Sequence, residues 1–396
     1  MQRIIILGGG VGGTLVANLL ARKLHAEIDR GRVAVTVVDA TGDHVYQPGF
    51  MYIAMGAERE QSLRRAERGL LDRRVELVVG DIVRIDESRR AVELGEGTRL
   101  IYDYLVVATG SRILPEAIAH FNEEAHHFYT PDAARRLRRA LDAFTGGRIV
   151  IGIAGMPYKC PPAPLEVAFL IDSELRDRHL RDRTEMHFCS PIGRVFTIES
   201  VSEMATPVFV EKGIEVHTFF NVDEIDPEQK LVRSLEGEEL PYDLLILVPP
   251  HKGAQCVIDS GLAPSSGWLP TDRETLQVKT APDAPDGTKA PRFPNVYALG
   301  DATDLPLSKA GSTAHFEAPV VAERIAAQVR GVEPEATAGT YTGKVMCFFE
   351  IGGGKATVLQ FDYNHPPRPP KPNRFWHLGK IVFNKTYWHT VPKGRV

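Results

Sequence analysis

The chain opens on a short apolar run, Arg3 to Leu7, followed by glycines and an apolar helical pattern from Thr14 to Leu24. A second, β-branched run, Val33 to Val38, ends at Asp39. Strand, turn, helix, strand in that order predicts the opening βαβ unit of a parallel sheet. The stretch Tyr102 to Gly110 reads as a further strand closing on a glycine turn.

The pattern then repeats. Arg148 to Ile153 predicts a buried strand, followed by a turn and a helix from about Pro164 to Arg178. Tyr242 to Pro249 echoes the Tyr102 segment, with Pro249-Pro250 where the first copy has Thr109-Gly110. The fold class is therefore α/β, with two tandem Rossmann-like dinucleotide-binding domains, the second inserted in the first. The expected boundaries are 1–115 with 285–335 for the first domain and 116–284 for the second. Residues 336–396 form a C-terminal region with an alternating segment (Val345 to Phe361) and a proline run (Pro366 to Pro372) that favours an extended spacer.

Composition narrows the function. With 396 residues, 43% hydrophobic and 25% charged, the chain has the make-up of a folded soluble protein. A net charge of −4 leaves no domain-wide basic field, so nucleic acid is not expected as a partner. No apolar run approaches the roughly 18 residues of a membrane span. The glycine motif starts so near Met1 that no cleaved signal peptide is expected, which points to a cytoplasmic compartment and reduced cysteines.

The glycines carry the first chemistry. Gly8, Gly10 and Gly13 follow a strand and open a helix, which permits a tight turn and close approach of a pyrophosphate to the helix N-terminus. Asp39, at the end of the next strand, is placed to bond a ribose hydroxyl. These residues do not separate FAD from NAD. Thr109-Gly110 and Gly300-Asp301 do, because they resemble the turns of flavoprotein disulfide-reductase-like enzymes, where the aspartate meets the ribityl chain of FAD.

A second glycine motif is expected after the Arg148 strand, yet that turn holds Pro157, Pro161, Pro162 and Pro164. Proline has no N–H to offer a pyrophosphate, so ordinary NAD binding is disfavoured. Cys160 stands in the same turn, beside Lys159 and just before a helix N-terminus, features that lower a thiol pKa. Cys189 and Cys256 read instead as small buried hydrophobes.

A strand followed by a proline-rich turn with Cys resembles the sulfide:quinone oxidoreductases and the flavoprotein subunit of flavocytochrome c sulfide dehydrogenases. The resemblance implies a second redox cysteine after the Gly-Asp motif, matched by Cys347. It implies FAD as cofactor, sulfide and a quinone as partners, and contacts to the flavin from Pro48 and Lys309 beside the residues above. It further implies that hydrosulfide attacks a Cys160/Cys347 pair and that the freed thiolate, Cys347, passes electrons to the flavin. Glu166 is a candidate proton relay or an ordinary first-turn acid, and Lys309 a flavin or quinone contact or an exposed lysine. His126, His127 and His315 are weaker acid–base candidates. Many quinone-linked members have a third cysteine near the position of Phe128, and this chain has none. The alternatives are a type II NADH:quinone oxidoreductase-like enzyme, disfavoured by the proline-filled turn, and an electron-transfer subunit of a sulfide dehydrogenase.

The segment from Pro366 to Val396 has seven Lys or Arg, no Asp or Glu, and Trp376, Trp388, Phe375, Phe383 and Tyr387. Basic and interfacial aromatic side chains together predict an amphipathic, membrane-contacting segment and peripheral attachment on the cytoplasmic side. Gly379 and Asn384 predict one or two short helical pieces. The competing roles are packing on the protein or a dimer contact that would make the chain a homo-oligomer.

Overall fold

The computed structural model describes residues 1–395. Apolar and β-branched runs form β1 (Gln2–Leu7), β2 (Val33–Asp39), β3 (Val75–Val79) and β4 (Tyr104–Val107). A second set follows: β5 (Ala125–His126), β6 (Gly147–Ile153), β7 (Thr184–Ser190), β8 (Ile214–Thr218) and β9 (Leu244–Val248). The chain then supplies β10 (Gln277–Lys279) and β11 (Arg292–Ala298) and ends in a hairpin, β12 (Val345–Gly352) and β13 (Lys355–Phe361). Four helices matter below: α1 (Val11–Lys23), α2 (Ala163–Asp177), α3 (Gly311–Val329) and α4 (Arg374–Thr386).

The first sheet has the order β10-β11-β4-β1-β2-β3 and the second β5-β9-β6-β7-β8. Pairing is parallel throughout, except between β10 and β11. Strands buried on both faces, such as Ile4 to Leu7 and Leu244 to Val248, explain the unbroken apolar runs in the sequence. Each unit also carries a three-stranded antiparallel sheet, at 82–101 just before β4 in the first and at 222–241 just before β9 in the second. The repeat predicted from the Tyr102 and Tyr242 segments is therefore present, one copy inserted into the other.

The point of return differs from the expected residue 285. Ser111–Ile113 pairs with His251–Gly253 as a two-stranded bridge between the units. From there Cys256 and Val257 already pack with Ile5, Leu7 and Leu105 in the core of the first unit. A short helix at Gln255–Asp259 and an edge strand made this stretch hard to assign from periodicity.

The C-terminal region is not free-standing. Phe349 packs on Phe169 of α2, and a Cβ at Gly352 would lie 2.3 Å from Ser173 Oγ, so the hairpin and helix approach closely. Of the one or two short pieces expected in the tail, the structure has one 13-residue helix, α4, running through Gly379 and Asn384. Asn373 caps it by accepting the N–H groups of Phe375 and Trp376. Gly379 leaves the helix room against the Phe348 ring, where a Cβ would sit 3.3 Å from a ring carbon. Asn384 Oδ1 accepts the Tyr46 hydroxyl at 2.5 Å. Both residues expected to break the helix are docking contacts. Beyond it, Asn18 Nδ2 donates to Pro392 O at 2.7 Å and Lys393 Nζ to Gly69 O at 2.9 Å, tying the chain end to the first unit.

Two buried histidines near the bridge set an acid limit on this fold. Burial pushes His127 down to about 4, and burial and Lys159 push His251 down to about 3. The unfolded chain binds their protons below about pH 6.5, so the stability they contribute is present above that pH. It is lost as pH falls from about 6.5 toward 4, at roughly 1.4 kcal/mol per pH unit for each group. Chemical unfolding measured against pH should show this slope, and His127→Asn should flatten it by about one proton. An unchanged slope would assign the acid sensitivity elsewhere.

Candidate active site

The glycine turn after β1 is as tight as its sequence requires. Gly8 has φ +103°, and a Cβ there would lie 2.5 Å from Ala108 O; at Gly13 it would lie 1.9 Å from Gly8 O. In front of Gly10 a Cβ would meet nothing within 4 Å, so the turn faces open space. Helix α1 starts there with no side-chain cap and no acidic residue in its first turn, leaving an electropositive N-terminus. Asp39 braces this turn: Oδ2 accepts Gly9 N–H at 2.8 Å and Oδ1 accepts Gly42 N–H at 2.8 Å.

Along the same cleft, the Thr109 and Ser111 hydroxyls are buried without a hydrogen-bond partner. Gly110 is left-handed at φ +66°, with open space where a Cβ would be. Gly300 and Asp301 begin a 3-10 turn, and burial pushes the Asp301 carboxyl up while Lys159 and Lys309 pull it down. Pro48 lies exposed in a 3-10 turn (Gln47–Gly49) whose Gln47 side chain meets Lys159 Nζ at 3.2 Å. A glycine cradle, a bare helix N-terminus and unpartnered buried hydroxyls suit a phosphate-bearing flavin.

Cys160 follows Lys159, whose Nζ donates to Ser111 O at 3.3 Å. Its backbone is left-handed at φ +55°, rare for a non-glycine residue, and is held by two bonds. Its N–H donates to Lys309 O at 2.7 Å, and its carbonyl accepts Ala163 N–H at 2.9 Å. Cys347, on β12, has Sγ 3.4 Å from Ser312 Oγ at the start of α3. Both are free, partly buried thiols. Burial pushes Cys160 up, and the charges of Glu166 and Cys347 push it further. Cys347 is also pushed up by burial, opposed by its bond to Ser312.

This corrects the expectation that Lys159 and a helix N-terminus lower the Cys160 pKa. Lys159 Nζ turns away to Gln47 and Ser111 O, and burial dominates the thiol. Glu166 is not a free relay either. It is buried, accepts Glu350 N–H at 2.8 Å, and pairs with Lys380 Nζ at 2.5 Å. Burial pushes Glu166 up and Lys380 pulls it back; burial opposes the Lys380 charge, and Glu166, Tyr52 and Glu350 more than offset that. Lys309 is buried rather than exposed, donating to Thr303 O at 2.6 Å and lying 4.4 Å from the centre of the Trp268 ring.

The remaining candidates divide. His127 accepts Tyr129 N–H and is packed in the interior, His126 is held below its usual pKa by burial, and His315 is an edge-on neighbour of Phe316. Cys189 and Cys256 are core residues, as expected. Phe128, where a third cysteine was sought, lies buried in the core. Sequence reasoning missed Lys380 and Glu317. Burial pushes Glu317 up to about 8, and it accepts Gly300 N–H at 2.5 Å. Each stands among apolar neighbours (Ile381-Val382-Phe383, Ala318-Pro319-Val320), the one signal that could have marked it as buried.

A family model described as Pyridine nucleotide-disulphide oxidoreductase matches residues 2–326, well over half the chain. The chain is 25% identical over 412 residues to a mitochondrial sulfide:quinone oxidoreductase of Dictyostelium discoideum, covering 100% of this chain and 87% of that one. It is 23% identical over 377 residues to the mitochondrial sulfide:quinone oxidoreductase of Mus musculus, covering 92% and 79%. Among solved structures, the sulfide:quinone oxidoreductase of Aquifex aeolicus shares the fold with a TM-score of 0.84, at 22% identity, over 100% of this chain and 92% of that one.

The buried ion pair generates a test of the site's assembly. Removing one partner strands a buried charge, at a cost of about 3–5 kcal/mol. Lys380→Met should lower unfolding stability by that amount, and Lys380→Met with Glu166→Leu should recover most of it. Equal loss in the single and double variants would deny the pair this role.

Proposed function

We propose, starting from the fact that the chain belongs to the pyridine nucleotide-disulphide oxidoreductase family, that it oxidises sulfide and reduces a quinone with Cys160 and Cys347 as its redox pair. What supports this reading is that Glu166, six residues after Cys160, accepts the N–H of Glu350, three residues after Cys347, which brings the two cysteine-bearing segments together. FAD is the cofactor. Gly8, Gly10, Gly13 and Asp39 would frame its dinucleotide end, and Pro48, Thr109, Gly110, Gly300, Asp301 and Lys309 would line the rest of its cleft. When bound, the flavin would supply a two-electron acceptor for the thiols and a two-electron donor for a quinone.

The thiol chemistry balances as follows. Hydrosulfide attacks Cys160 sulfur in the Cys160–Cys347 disulfide, forming a persulfide and releasing the Cys347 thiolate. A second hydrosulfide removes the outer sulfur as disulfide anion, leaving the Cys160 thiol. Loss of two electrons and one proton re-forms the disulfide, so two hydrosulfides yield one disulfide anion. The proton leaves to solvent, and Glu166, held by Lys380 and the Glu350 N–H, acts on both thiols through its charge alone. Its pairing with Lys380 keeps that charge tolerable in the interior.

A nicotinamide donor suits this site poorly. The turn before α2 holds Pro157, Pro161 and Pro162, and the Cys160 N–H is already spent on Lys309 O. The third partner is the membrane surface. Phe375, Leu378 and Val382 are exposed along one side of α4, flanked by exposed Lys371, Arg374 and Lys385. Tyr387 instead packs inside, against Tyr46. Among the described residues no helix is long and apolar enough to cross a membrane, so α4 would lie in the surface.

Cys160→Ser and Cys347→Ser should each lower sulfide-dependent quinone reduction about a hundredfold or more, some 2.7 kcal/mol of barrier, while keeping the flavin. Full turnover in either variant would end this reading. Replacing Phe375, Leu378 and Val382 by Ser should reduce sedimentation with anionic liposomes without changing the flavin spectrum; unchanged sedimentation would remove α4 from the membrane contact.

A further inference from the structure

At the edge of the second sheet three potential ligands face one another. β8 is the edge strand, and its Glu215 is the register partner of His187 on β7. His217 lies two residues on, so its side chain shares a face with Glu215. One donor atom from each of His187, Glu215 and His217 lies within 4.8 Å of the other two. His187 Nδ1 is 2.9 Å from His217 Nε2, and Glu215 oxygens lie 3.6 Å from the first and 3.9 Å from the second.

The geometry points to a surface site for a divalent transition-metal ion, zinc or a close relative, held by His187 Nδ1, His217 Nε2 and the Glu215 carboxylate. Two ligand atoms on one tetrahedral zinc, with bonds of about 2.0–2.2 Å, lie about 3.3 Å apart. The three separations straddle that value, so one ion reaches all three with small side-chain shifts. Imidazole and carboxylate are a ligand set that zinc accepts, and the open positions would be filled by water.

A second observation points the same way. Glu238, from the turn before the last strand of the small antiparallel sheet, accepts a hydrogen bond from His217 Nδ1. Such a carboxylate fixes the tautomer of a metal-ligating histidine and raises its basicity. It leaves the His217 Nε2 lone pair aimed at His187, whose Nδ1–H donates to it when no ion is present. An incoming ion needs His187 to carry that proton on Nε2 instead, which frees the Nδ1 lone pair while the ring stays neutral. His187 is nine-tenths buried, so its ring is held in place, and its Nε2 has no hydrogen-bond partner. Arg148, the nearby cation, is already engaged by Glu185. Glu215 is largely exposed, which gives the ion an entry path. The site is separate from the redox chemistry and would brace β7 against the sheet edge.

Chelator-treated, flavin-loaded full-length protein should be titrated with zinc by calorimetry. The wild type should bind one more zinc equivalent than the His187→Gln/His217→Gln double variant. Glu238→Gln should keep that equivalent with affinity reduced about 10- to 100-fold. Glu215→Gln, which alters only an exposed side chain, should weaken it at least tenfold and guards against misfolding of the double variant. Turnover without zinc should be the same in all four proteins. Identical zinc stoichiometry and affinity in wild type, the double variant and Glu215→Gln would overturn the site.

Discussion

A carboxylate and an ammonium taken out of water together hold the C-terminal third of the site in place. Glu166 belongs to α2 of the second unit, Lys380 to α4 of the tail, and the Glu350 N–H that Glu166 also binds belongs to β12. Neither charge is tolerable there alone, because stranding one costs several kcal/mol. The pair therefore fixes three separate elements at once. Cys347 rides on the strand so fixed, and Cys160 on the turn that leads into α2. The two cysteines, 187 positions apart in the sequence, lie on segments that this pair and the packing of Phe349 on Phe169 hold against each other.

The duplicated architecture explains why one unit is suited to a flavin and the other carries a cysteine. The first turn keeps the glycines, the bare helix N-terminus and an acid that braces them. Its counterpart has exchanged N–H groups for prolines and has tied its Cys160 N–H to the first unit through Lys309 O. That bond also joins the two units directly across the cleft. The same exchange that disfavours a dinucleotide thus presents a thiol, with a strained left-handed backbone, to the space a flavin would share.

Much of this was legible in order along the chain. Gly8, Gly10 and Gly13 work as turn formers because no side chain fits there, and such steric rules are local enough to read from sequence. The βαβ repeats and the proline turn were legible for the same reason. What stayed hidden depends on burial. Cys160 beside Lys159 suggested an activated thiol, but neighbours in sequence do not set a field when one side chain turns away. Lys380 looked like part of a basic membrane face, and only its carboxylate partner, 214 positions away, reveals it as interior. Gly379 and Asn384 looked like helix breakers because their compensating contacts, Phe348 and Tyr46, come from elsewhere in the fold. The boundary near 254 was missed because a short helix and an edge strand carry little periodic signal.

The central claim is that reducing equivalents enter through sulfur chemistry at the thiol pair and not through a nicotinamide. Anaerobic rapid mixing of the flavin-loaded protein with sulfide, and separately with NADH, tests it most directly by following the flavin spectrum. The account predicts fast bleaching of the flavin by sulfide and none by NADH on the same timescale. Bleaching by NADH with a spectrum indifferent to sulfide would contradict it.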